Sequence, residues 1–419
     1  MINNMKVLFL GTFFPDDEIE SVKKNSKKTV QNAANLLQWD YINGFESIYK
    51  NNVLLITKMC IGTFPNNYRK MFIKTRNFSS KNGSVGISVG FPNFYPIKQF
   101  LYPKICYKFI KKWIYNYSKE EKIIIAYSTL CTKEILKIKK IDKNIRIVLI
   151  VPDLPYYMNL DKNNMLYKIK RLYETKKLEE CLKEIDAVVP ITKYMENEIN
   201  SNRKLKSVII EGMINSKKSE KHHVYKNYFQ FCYAGTLTKK YGIINLINDF
   251  RKIKNDNIRL VICGGGEMVR EVEKSVKEDK RIIYKGVVSS DEAYEIQCQS
   301  DVLINPRMND SEYIKFSFPS KILQYMKTGR PIICYKLDGI PDEYDNYLLF
   351  VNDGETLKSK MEFAIKMSHK KLDEIGRNAE EFVLNEKNNI VQVKKIVRIL
   401  GENDDNKEND KKNIYKNKK

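Results

Sequence analysis

Residues 305–331 read NPRMNDSEYIKFSFPSKILQYMKTGRP and carry the clearest strand, loop and helix order in the chain. An apolar run typical of a buried strand leads into them, a polar loop follows, and residues 319–327 have the apolar spacing of a helix. Pro319 suits the first turn of that helix, and Gly329 suits its C-terminal cap. This order places the start of the helix at the carboxyl edge of a sheet, where α/β proteins bind ligands.

The start of this predicted helix is suited to an anion. Free N–H groups and the positive end of the helix dipole favour a phosphate there. Lys321 in the first turn adds a full positive charge. Gln324 lies three residues on, so we expect it on the same face, where it could reach a ribose hydroxyl. In the alternative interpretation, Ser320 caps an ordinary amphipathic helix and Lys321 is solvated.

Short apolar runs alternate with amphipathic stretches along the second half of the chain. Gly235 closes the first run, and Gly264, Gly265 and Gly266 follow the second. Strands joined by helices imply βαβ units and a parallel sheet. The predicted strands are 231–234, 258–263, 282–284, 302–305, 332–335 and 348–351.

The first half shows the same alternation less sharply. Its predicted strands are 7–10, 53–57, 123–127, 145–151, 187–192 and 208–211, and its predicted helices are 31–40, 102–117 and 166–185. Residues 7–14 predict a first strand rather than a signal segment, since no small-residue cleavage site follows. The pattern predicts two doubly wound, Rossmann-like α/β domains facing each other across a cleft.

The predicted boundaries follow shifts in composition. The domains are 1–212 and 229–388, joined by a polar, basic linker at 213–228. Residues 389–400 are predicted as a closing helix that packs back on the first domain. Residues 401–419 are rich in lysine and asparagine, and we predict a disordered basic tail there.

Composition narrows the classes of function. The formal net charge is +23, from 74 Lys and Arg against 51 Asp and Glu. Such a charge attracts anionic substrates or lipid headgroups, although a general lysine bias explains it equally well. We find no motif for nucleic-acid binding, and predict no such partner. The eight cysteines form no CxxC pair, which indicates a reducing compartment and no metal site. No apolar run is long enough to span a membrane, so we predict a cytoplasmic protein.

Several further segments complete a recognisable set. They are 317–326 (SFPSKILQYM) with 328–333 (TGRPII), 233–237 (YAGTL) with 239–242 (KKYG), 261–267 (VICGGGE), 301–307 (DVLINPR), and more loosely 151–155 (VPDLP) and 211–214 (EGMI). This set resembles the retaining GT-B glycosyltransferases of family 4, and within them the bacterial surface-polysaccharide branch. The resemblance is strong over 231–344 and weak before 143.

The resemblance implies a sugar donor such as a UDP-sugar, bound by 229–388, and no separate cofactor or metal. It implies metal-independent transfer, with retention, to a lipid-linked or saccharide acceptor bound by 1–212, in the synthesis of cell-surface polysaccharide. Carried over by position, the implied donor-site residues are Gly235 and Thr236 under the phosphates, Lys240 as a basic partner, Gly264, Gly265 and Gly266 beside the nucleotide, and Ser320 and Lys321 at the β-phosphate.

Three departures from the family pattern affect four positions. Two glutamates of the family are replaced by Phe316 and Gln324, and only Gln324 can still hold a ribose. An arginine of the first glycine loop is replaced by Thr236, so Arg307 is expected to supply that charge. The family histidine is Pro152 here, followed by Asp153. We predict that Asp153 binds the acceptor or assists at the anomeric carbon; a structural Asx turn is the alternative.

These departures leave two other functions open. One is a non-catalytic partner subunit that keeps the fold, and the other is a nucleotide-sugar epimerase, which would need paired acid and base groups. The basic, aromatic stretch 95–117 also has two interpretations. It suits docking on the anionic inner face of a plasma membrane, or it is a core helix with a solvated lysine face.

Overall fold

The computed structural model describes residues 5–27, 30, 32–95, 97–128, 133–157, 165–216 and 223–401. These residues form two compact units. The first unit contains the described residues up to 191, then 195–210, then those from 389 onward, and the second contains 192–194 and 211–388. The predicted tail beyond residue 401 and the middle of the predicted linker, 217–222, lie outside the described residues.

The first unit is built on an eight-stranded sheet of order β10-β9-β8-β7-β1-β2-β5-β4. All neighbouring strands are parallel except β4, which is antiparallel to β5. The central strands are almost entirely apolar after a first, basic residue (Lys6, Lys122 and Arg146) because both faces of the sheet are covered. The strands are β1 (Lys6–Gly11), β2 (Val53–Thr57), β4 (Arg76–Ser79), β5 (Val85–Ser88), β7 (Lys122–Tyr127), β8 (Arg146–Val151), β9 (Ala187–Pro190) and β10 (Lys206–Ser207), and a separate pair is formed by β3 (Phe72–Ile73) and β6 (Phe91–Pro92).

Seven helices accompany this sheet, and the last comes from the C-terminal end of the described chain. That helix packs on the second helix, where a Cβ at Gly44 would lie 2.6 Å from the Asn389 carbonyl oxygen. Glycine therefore permits the close approach. The helices are α1 (Ile19–Asn25), α2 (Asn32–Tyr49), α3 (Ile97–Asn116), α4 (Lys133–Leu136), α5 (Met165–Leu182), α6 (Lys193–Asn200, whose first two residues group with the second unit) and α13 (Asn389–Gly401).

The second unit is a six-stranded, fully parallel sheet of order β13-β12-β11-β14-β15-β16 with helices on both faces. Its strands are β11 (Phe229–Ala234), β12 (Ile258–Cys263), β13 (Ile282–Tyr284), β14 (Val302–Asn305), β15 (Ile332–Tyr335) and β16 (Leu349–Val351). Its helices are α7 (Ile243–Arg251), α8 (Val269–Glu278), α9 (Ser290–Cys298), α10 (Lys321–Met326), α11 (Leu357–Ile365) and α12 (His369–Glu386).

Two hydrophobic clusters cover the two faces of this second sheet. Along β11, Phe231 and Tyr233 point into the cluster shared with α7, α8 and α11. Cys232 and Ala234 point into the opposite cluster, shared with α10 and α12. This alternation follows from the two-residue period of a strand. Burial of both faces explains why the strands were visible as apolar runs in the sequence.

The strand order reverses once in each unit. The reversal lies between β11 and β14 in the second unit and between β1 and β7 in the first. Loops leaving the carboxyl ends of such strand pairs diverge to opposite faces, which opens a crevice for a ligand. The crevice of the second unit is therefore expected beside Ala234 and Asn305.

All six predicted strands of the second unit are confirmed, four of them with the predicted bounds: 258–263, 282–284, 302–305 and 332–335. In the first unit the strand predicted at 208–211 is wrong. The strand ends at Ser207, although the N–H groups of Val208 and Ile210 still donate to the carbonyl oxygens of Val188 and Pro190. Strands β4 and β5 were missed because their polar residues lack an apolar run.

Candidate functional site

Two glycine loops interlock at the carboxyl edge of the second sheet. Gly235 follows β11 and Gly264 follows β12. Gly264 has φ +131°, and a Cβ there would lie 1.8 Å from the Gly235 carbonyl oxygen, so only glycine fits. The loops are also tied by the N–H of Leu237, which donates to the Gly265 carbonyl oxygen at 2.9 Å. At this edge of the sheet the backbones of the two loops therefore pack directly against each other, with no side chain between them.

Part of this backbone has unused hydrogen-bond donors. The N–H groups of Thr236, Gly265 and Gly266 find no acceptor among the residues that the structure describes. Successive free N–H groups in a tight loop form a concave, positive surface that suits an anion. The loops therefore offer backbone donors where the sequence predicted phosphate binding.

Lys321 lies across these loops. Its Nζ donates to the Ala234 carbonyl oxygen, and a Cβ at Gly235 would lie 2.5 Å from that Nζ. Burial lowers the pKa of Lys321 to about 8, against a small raising effect of Cys232 and Cys263. In the described part of the chain no carboxylate pairs with it. Lys321 is thus a half-buried cation whose charge has no counter-ion.

Tyr325 fixes the end of the central strand. Its hydroxyl accepts from the Ala234 N–H at 2.9 Å and donates to the Ala234 carbonyl oxygen at 3.1 Å. Because that carbonyl also accepts from Lys321, Tyr325 and Lys321 orient each other. This role of Tyr325 could not be predicted from the sequence, since its place in the apolar pattern of α10 indicates only a core residue.

Arg307 follows β14 and is 9% exposed. Its Nη2 donates to Ser317 Oγ at 3.0 Å, and its buried Nε has no acceptor. The guanidinium lies 5.8 Å from the ring centroids of Tyr241 and Tyr313. No carboxylate of the described residues pairs with it. A buried guanidinium is normally paired, so Arg307 is a second cation that lacks a counter-ion.

The predicted helix at 319–327 is shorter than expected. Helix α10 begins at Lys321 because Ser320, although αR in backbone, belongs to the turn in which the Ile322 N–H donates to the Pro319 carbonyl oxygen. Ser320 makes no capping hydrogen bond through its side chain, so the capping interpretation is wrong. Gln324 is exposed, whereas Lys321 is half-buried. The helix ends at Met326 with Lys327 as its C-cap residue, so the predicted cap at Gly329 is wrong; Gly329, with φ +69°, belongs to the turn that follows.

Other predicted residues lie around this edge with different exposure. Thr236 and Lys240 are exposed, and Lys240 Nζ sits 5.3 Å from the centroid of the Tyr241 ring. Glu267, which follows the second glycine loop, accepts a hydrogen bond at its Oε1 from the Lys239 N–H at 3.1 Å. Phe316 is buried, at 7% exposure. The structure thus brings Gly235, Gly264, Lys321 and Arg307 to the ends of neighbouring strands and leaves Lys240 outside on the surface.

Asp153 lies in the first unit, after β8. It borders a small depression, partly open to solvent, that Ser128, Val151 and Lys177 also line. Asp153 accepts no hydrogen bond from the described residues, as an Asx turn would require. Desolvation raises the pKa of Asp153 to about 6, although the residue keeps more than a third of its surface exposed. Its carboxylate is therefore free to meet a ligand, and water access limits the shift.

Two kinds of feature are absent from the described residues. No group of three or more His, Cys, Asp or Glu side chains in these ranges could hold a metal ion. Within the same ranges, every helix is either too short or too polar to cross a bilayer. Seven cysteines are free thiols, and Cys131 lies outside the described residues.

Comparison with solved structures shows the fold. The chain superposes on sucrose-phosphate synthase from Thermosynechococcus elongatus with a TM-score of 0.60 and 15% identity, covering 94% of this chain and 99% of that one. Trehalose-6-phosphate synthase OtsA gives a TM-score of 0.63 at 10% identity, over 95% and 99%. Anabaena HepE, solved in complex with UDP, gives 0.59 at 13%, over 94% and 99%. No curated protein matches the sequence.

A family model matches one part of the chain. It is described as Glycosyl transferases group 1 and covers residues 215–382. This segment contains both glycine loops, Arg307 and α10. The chain therefore has the GT-B fold, and its residues 215–382 carry a Glycosyl transferases group 1 domain.

Proposed function

We propose that this protein transfers a sugar from a nucleotide-sugar donor to an acceptor. One observation carries the proposal: Lys321 and Arg307, two cations without a carboxylate partner, flank the strand reversal of the second sheet beside free N–H groups. A buried or half-buried cation without a counter-ion costs free energy in the empty protein, and a diphosphate would offset that cost. The family match over 215–382 supports the same assignment.

The nucleotide is proposed to be UDP. Anabaena HepE, which shares the fold, was solved with UDP and with UDP-glucose. In our assignment the diphosphate contacts the N–H groups of Thr236, Gly265 and Gly266 together with Lys321 and Arg307. Gln324 is exposed one turn along α10 and is assigned to the ribose. Lys240, exposed beside Tyr241, is assigned to the outer rim of the diphosphate.

The chemical step breaks the bond between the anomeric carbon and the β-phosphate oxygen. The electron pair leaves with the diphosphate, and an acceptor hydroxyl forms the new bond to the anomeric carbon. With retention, the hydroxyl approaches from the face that the diphosphate leaves, so the departing phosphate oxygen can take its proton. Negative charge grows on that oxygen in the transition state, where Lys321, Arg307 and the free N–H groups stabilise it more than in the ground state. We propose no metal and no cofactor.

The acceptor is assigned to the first unit, beside Asp153. With a pKa of about 6, this carboxylate is mainly ionised at neutral pH. It can therefore accept a hydrogen bond from an acceptor hydroxyl and position the oxygen for attack. Following the resemblance, we propose a lipid-linked or saccharide acceptor and a role in cell-surface polysaccharide synthesis in the cytoplasm.

A membrane surface is the second proposed partner. Helix α3 buries Tyr102, Cys106 and Ile110, as a core helix does, but its start exposes Phe100. Helix α5 exposes an apolar stripe of Met165, Ile169, Leu172 and Tyr173, with Lys168 and Arg171 on the same turns. Apolar side chains among basic ones match the chemistry of an anionic bilayer surface. Flotation with acidic vesicles at low salt tests it, and failure of Leu172→Glu to weaken flotation would contradict this surface.

A non-catalytic subunit is the alternative with a specific observation behind it. The buried Phe316 replaces a polar family residue and presents no hydrogen-bonding group to a sugar. Such a protein would bind nucleotide without turning over the donor. An active transferase releases UDP from a UDP-sugar, whereas a non-catalytic subunit does not.

The first experiment is calorimetric titration of the full chain with UDP, GDP, ADP and CMP. We expect UDP to bind and Lys321→Met to weaken it by about tenfold or more, because a charged partner of the diphosphate is lost. Lys252→Met is the control, since it removes an equal charge from an exposed site after α7. Absence of binding by all four nucleotides at millimolar concentration would overturn the proposal. Binding without UDP release from UDP-glucose, in the presence of a bacterial lipid extract, would favour the non-catalytic subunit.

A further inference from the structure

Lys58 is a cation that the proposed donor site does not use. It follows the last residue of β2, and its N–H donates to the Gly11 carbonyl oxygen at 3.0 Å, so it stands at the carboxyl edge of the first sheet. The side chain is half-buried. Within the described ranges, its ammonium group makes neither a hydrogen bond nor an ion pair. A half-buried ammonium without any acceptor is unusual, because removing a charge from water is costly.

The ammonium group of Lys58 contacts aromatic rings, which do not accept its hydrogen bonds. Its Nζ lies 4.9 Å from the Tyr102 ring centroid and 5.8 Å from that of Phe91. Ring faces attract a cation, but they leave its three N–H donors without acceptor atoms. The rings therefore fix where the charge sits and leave room for an anion to complete its shell.

Two more lysines approach the same point. After burial, which is the largest cause, the charges of Lys98 on α3 and Lys177 on α5 lower the pKa of Lys58 to about 8. The groups that act in the opposite direction are the thiols of Cys60 and Cys106. Lys98 Nζ donates to Asn93 Oδ1 at 3.3 Å and to the Ile61 carbonyl oxygen at 3.5 Å, among other interactions. Lys58 follows β2, Lys98 contacts the loop that continues from it, and Lys177 lines the pocket at the end of β8, so three lysines lie near the carboxyl edge of the first sheet.

We infer that Lys58, Lys98 and Lys177 form a binding site for a phosphate group carried by the sugar acceptor. A phosphate monoester has close to two negative charges and three acceptor oxygens, which matches three converging ammonium groups better than a single carboxylate does. The identification of the phosphate-bearing molecule as the sugar acceptor rests on the proposed glycosyl transfer. The phosphate site itself does not depend on it.

Lys177 links this site to the pocket beside Asp153, because it lines that pocket as well. The Asp153 carboxylate repels a phosphate, so the phosphate is assigned to the Lys58 side. The hydroxyl-bearing sugar is then assigned to the pocket, where Asp153 can accept its hydrogen bond. The acceptor would be a phosphorylated sugar or a sugar on a lipid phosphate.

The experiment is calorimetric titration of the full chain with two probes, glucose 6-phosphate and a polyprenyl phosphate in phosphatidylcholine vesicles. All titrations are repeated in the Lys321→Met background, so that phosphate binding at the donor site does not contribute. Lys58→Met is expected to weaken phosphate binding by at least about tenfold. Its melting temperature is expected to rise, since methionine fills the same aromatic slot without a charge.

Lys50→Met is the matched control. Lys50 is exposed and precedes β2, so its substitution removes the same charge at the opposite end of the same strand. We expect it to leave phosphate affinity unchanged. Binding of glucose 6-phosphate alone assigns a soluble phosphosugar, and binding of the polyprenyl phosphate alone assigns a lipid-linked acceptor.

Two outcomes overturn the inference: no binding of either probe, or equal affinity in Lys58→Met and the unmodified chain. This test of the phosphate site does not depend on the test of the donor site. If UDP fails to bind but glucose 6-phosphate binds through Lys58, the phosphate site stands and the proposed transfer falls.

Discussion

The first strands of the two units end in loops that look alike in topology and differ in chemistry. After β11, the Thr236 N–H has no acceptor among the described residues. After β1, the corresponding donors are already used: Thr12 N–H donates to Gln38 Oε1 at 2.6 Å and Phe14 N–H to Asn35 Oδ1 at 2.8 Å. The second unit therefore keeps its backbone available for an anion, whereas the first unit closes its backbone and leaves recognition to side chains such as Lys58.

The largest expected effect is on the open backbone loop. Gly264→Ala places a Cβ against the Gly235 carbonyl oxygen and also strains a φ of +131°, so we expect UDP binding to be lost with a destabilisation of about 3 kcal/mol or more. Gly354→Ala is the control, because its φ is +82° and a Cβ there meets no atom within 4 Å. The control variant therefore measures the cost of the positive φ alone, without a steric clash. Calorimetry measures UDP binding, and denaturant unfolding measures the loss of stability. Equal behaviour of the two variants would show that the loops do not need their close contact.

The next effect concerns the buried cation of the same region. Arg307→Gln removes the guanidinium charge, whose Nε has no acceptor in the described protein. We expect the binding free energy of UDP to become less favourable by about 2–3 kcal/mol. Lys240→Gln removes the same charge from an exposed site, and screening by water should limit its effect to about 0.5 kcal/mol. Titration of both variants with UDP checks the order. A larger loss in Lys240→Gln would move the diphosphate away from Arg307.

A smaller effect is expected in the closed loop of the first unit. Gln38→Leu leaves the Thr12 N–H without its acceptor, which should cost about 1–2 kcal/mol of unfolding free energy. UDP affinity should not change, because the donor loops belong to the other unit. Urea unfolding with parallel UDP titration measures the two quantities. A marked loss of UDP affinity in this variant would break the proposed division of roles.

The smallest effect is a pH dependence of stability. Lys58 titrates near pH 8 in the folded protein and near its ordinary value of 10.5 when unfolded. Between these values the unfolded chain binds more protons, so stability should rise with pH. Lys58→Met removes this contribution, and we expect its unfolding free energy to rise less between pH 7 and pH 9, by of the order of 1 kcal/mol. Identical slopes for the variant and the unmodified chain would show that Lys58 is solvated.

The sequence predicted the second unit better than the first. Runs such as Ile258–Cys263 and Val302–Asn305 are apolar because both faces of a parallel sheet are covered, so their bounds were readable. Strand β4 was not, because half of its residues face solvent. The glycines of 235 and 264–266 were also readable, since only glycine tolerates the close approach of two backbones there.

By itself, the sequence determined the α/β class, the strands of the second unit and the residue types at the donor edge, because these follow from local periodicity and backbone sterics. The tertiary structure alone decided which charges lack a counter-ion. Arg307 contacts the rings of Tyr241 and Tyr313, and Lys58 those of Phe91 and Tyr102; all of these rings except Tyr313 are distant in sequence from the cation that they contact. Whether a lysine or arginine is paired depends on groups that only folding brings within hydrogen-bond distance, and no local pattern records that.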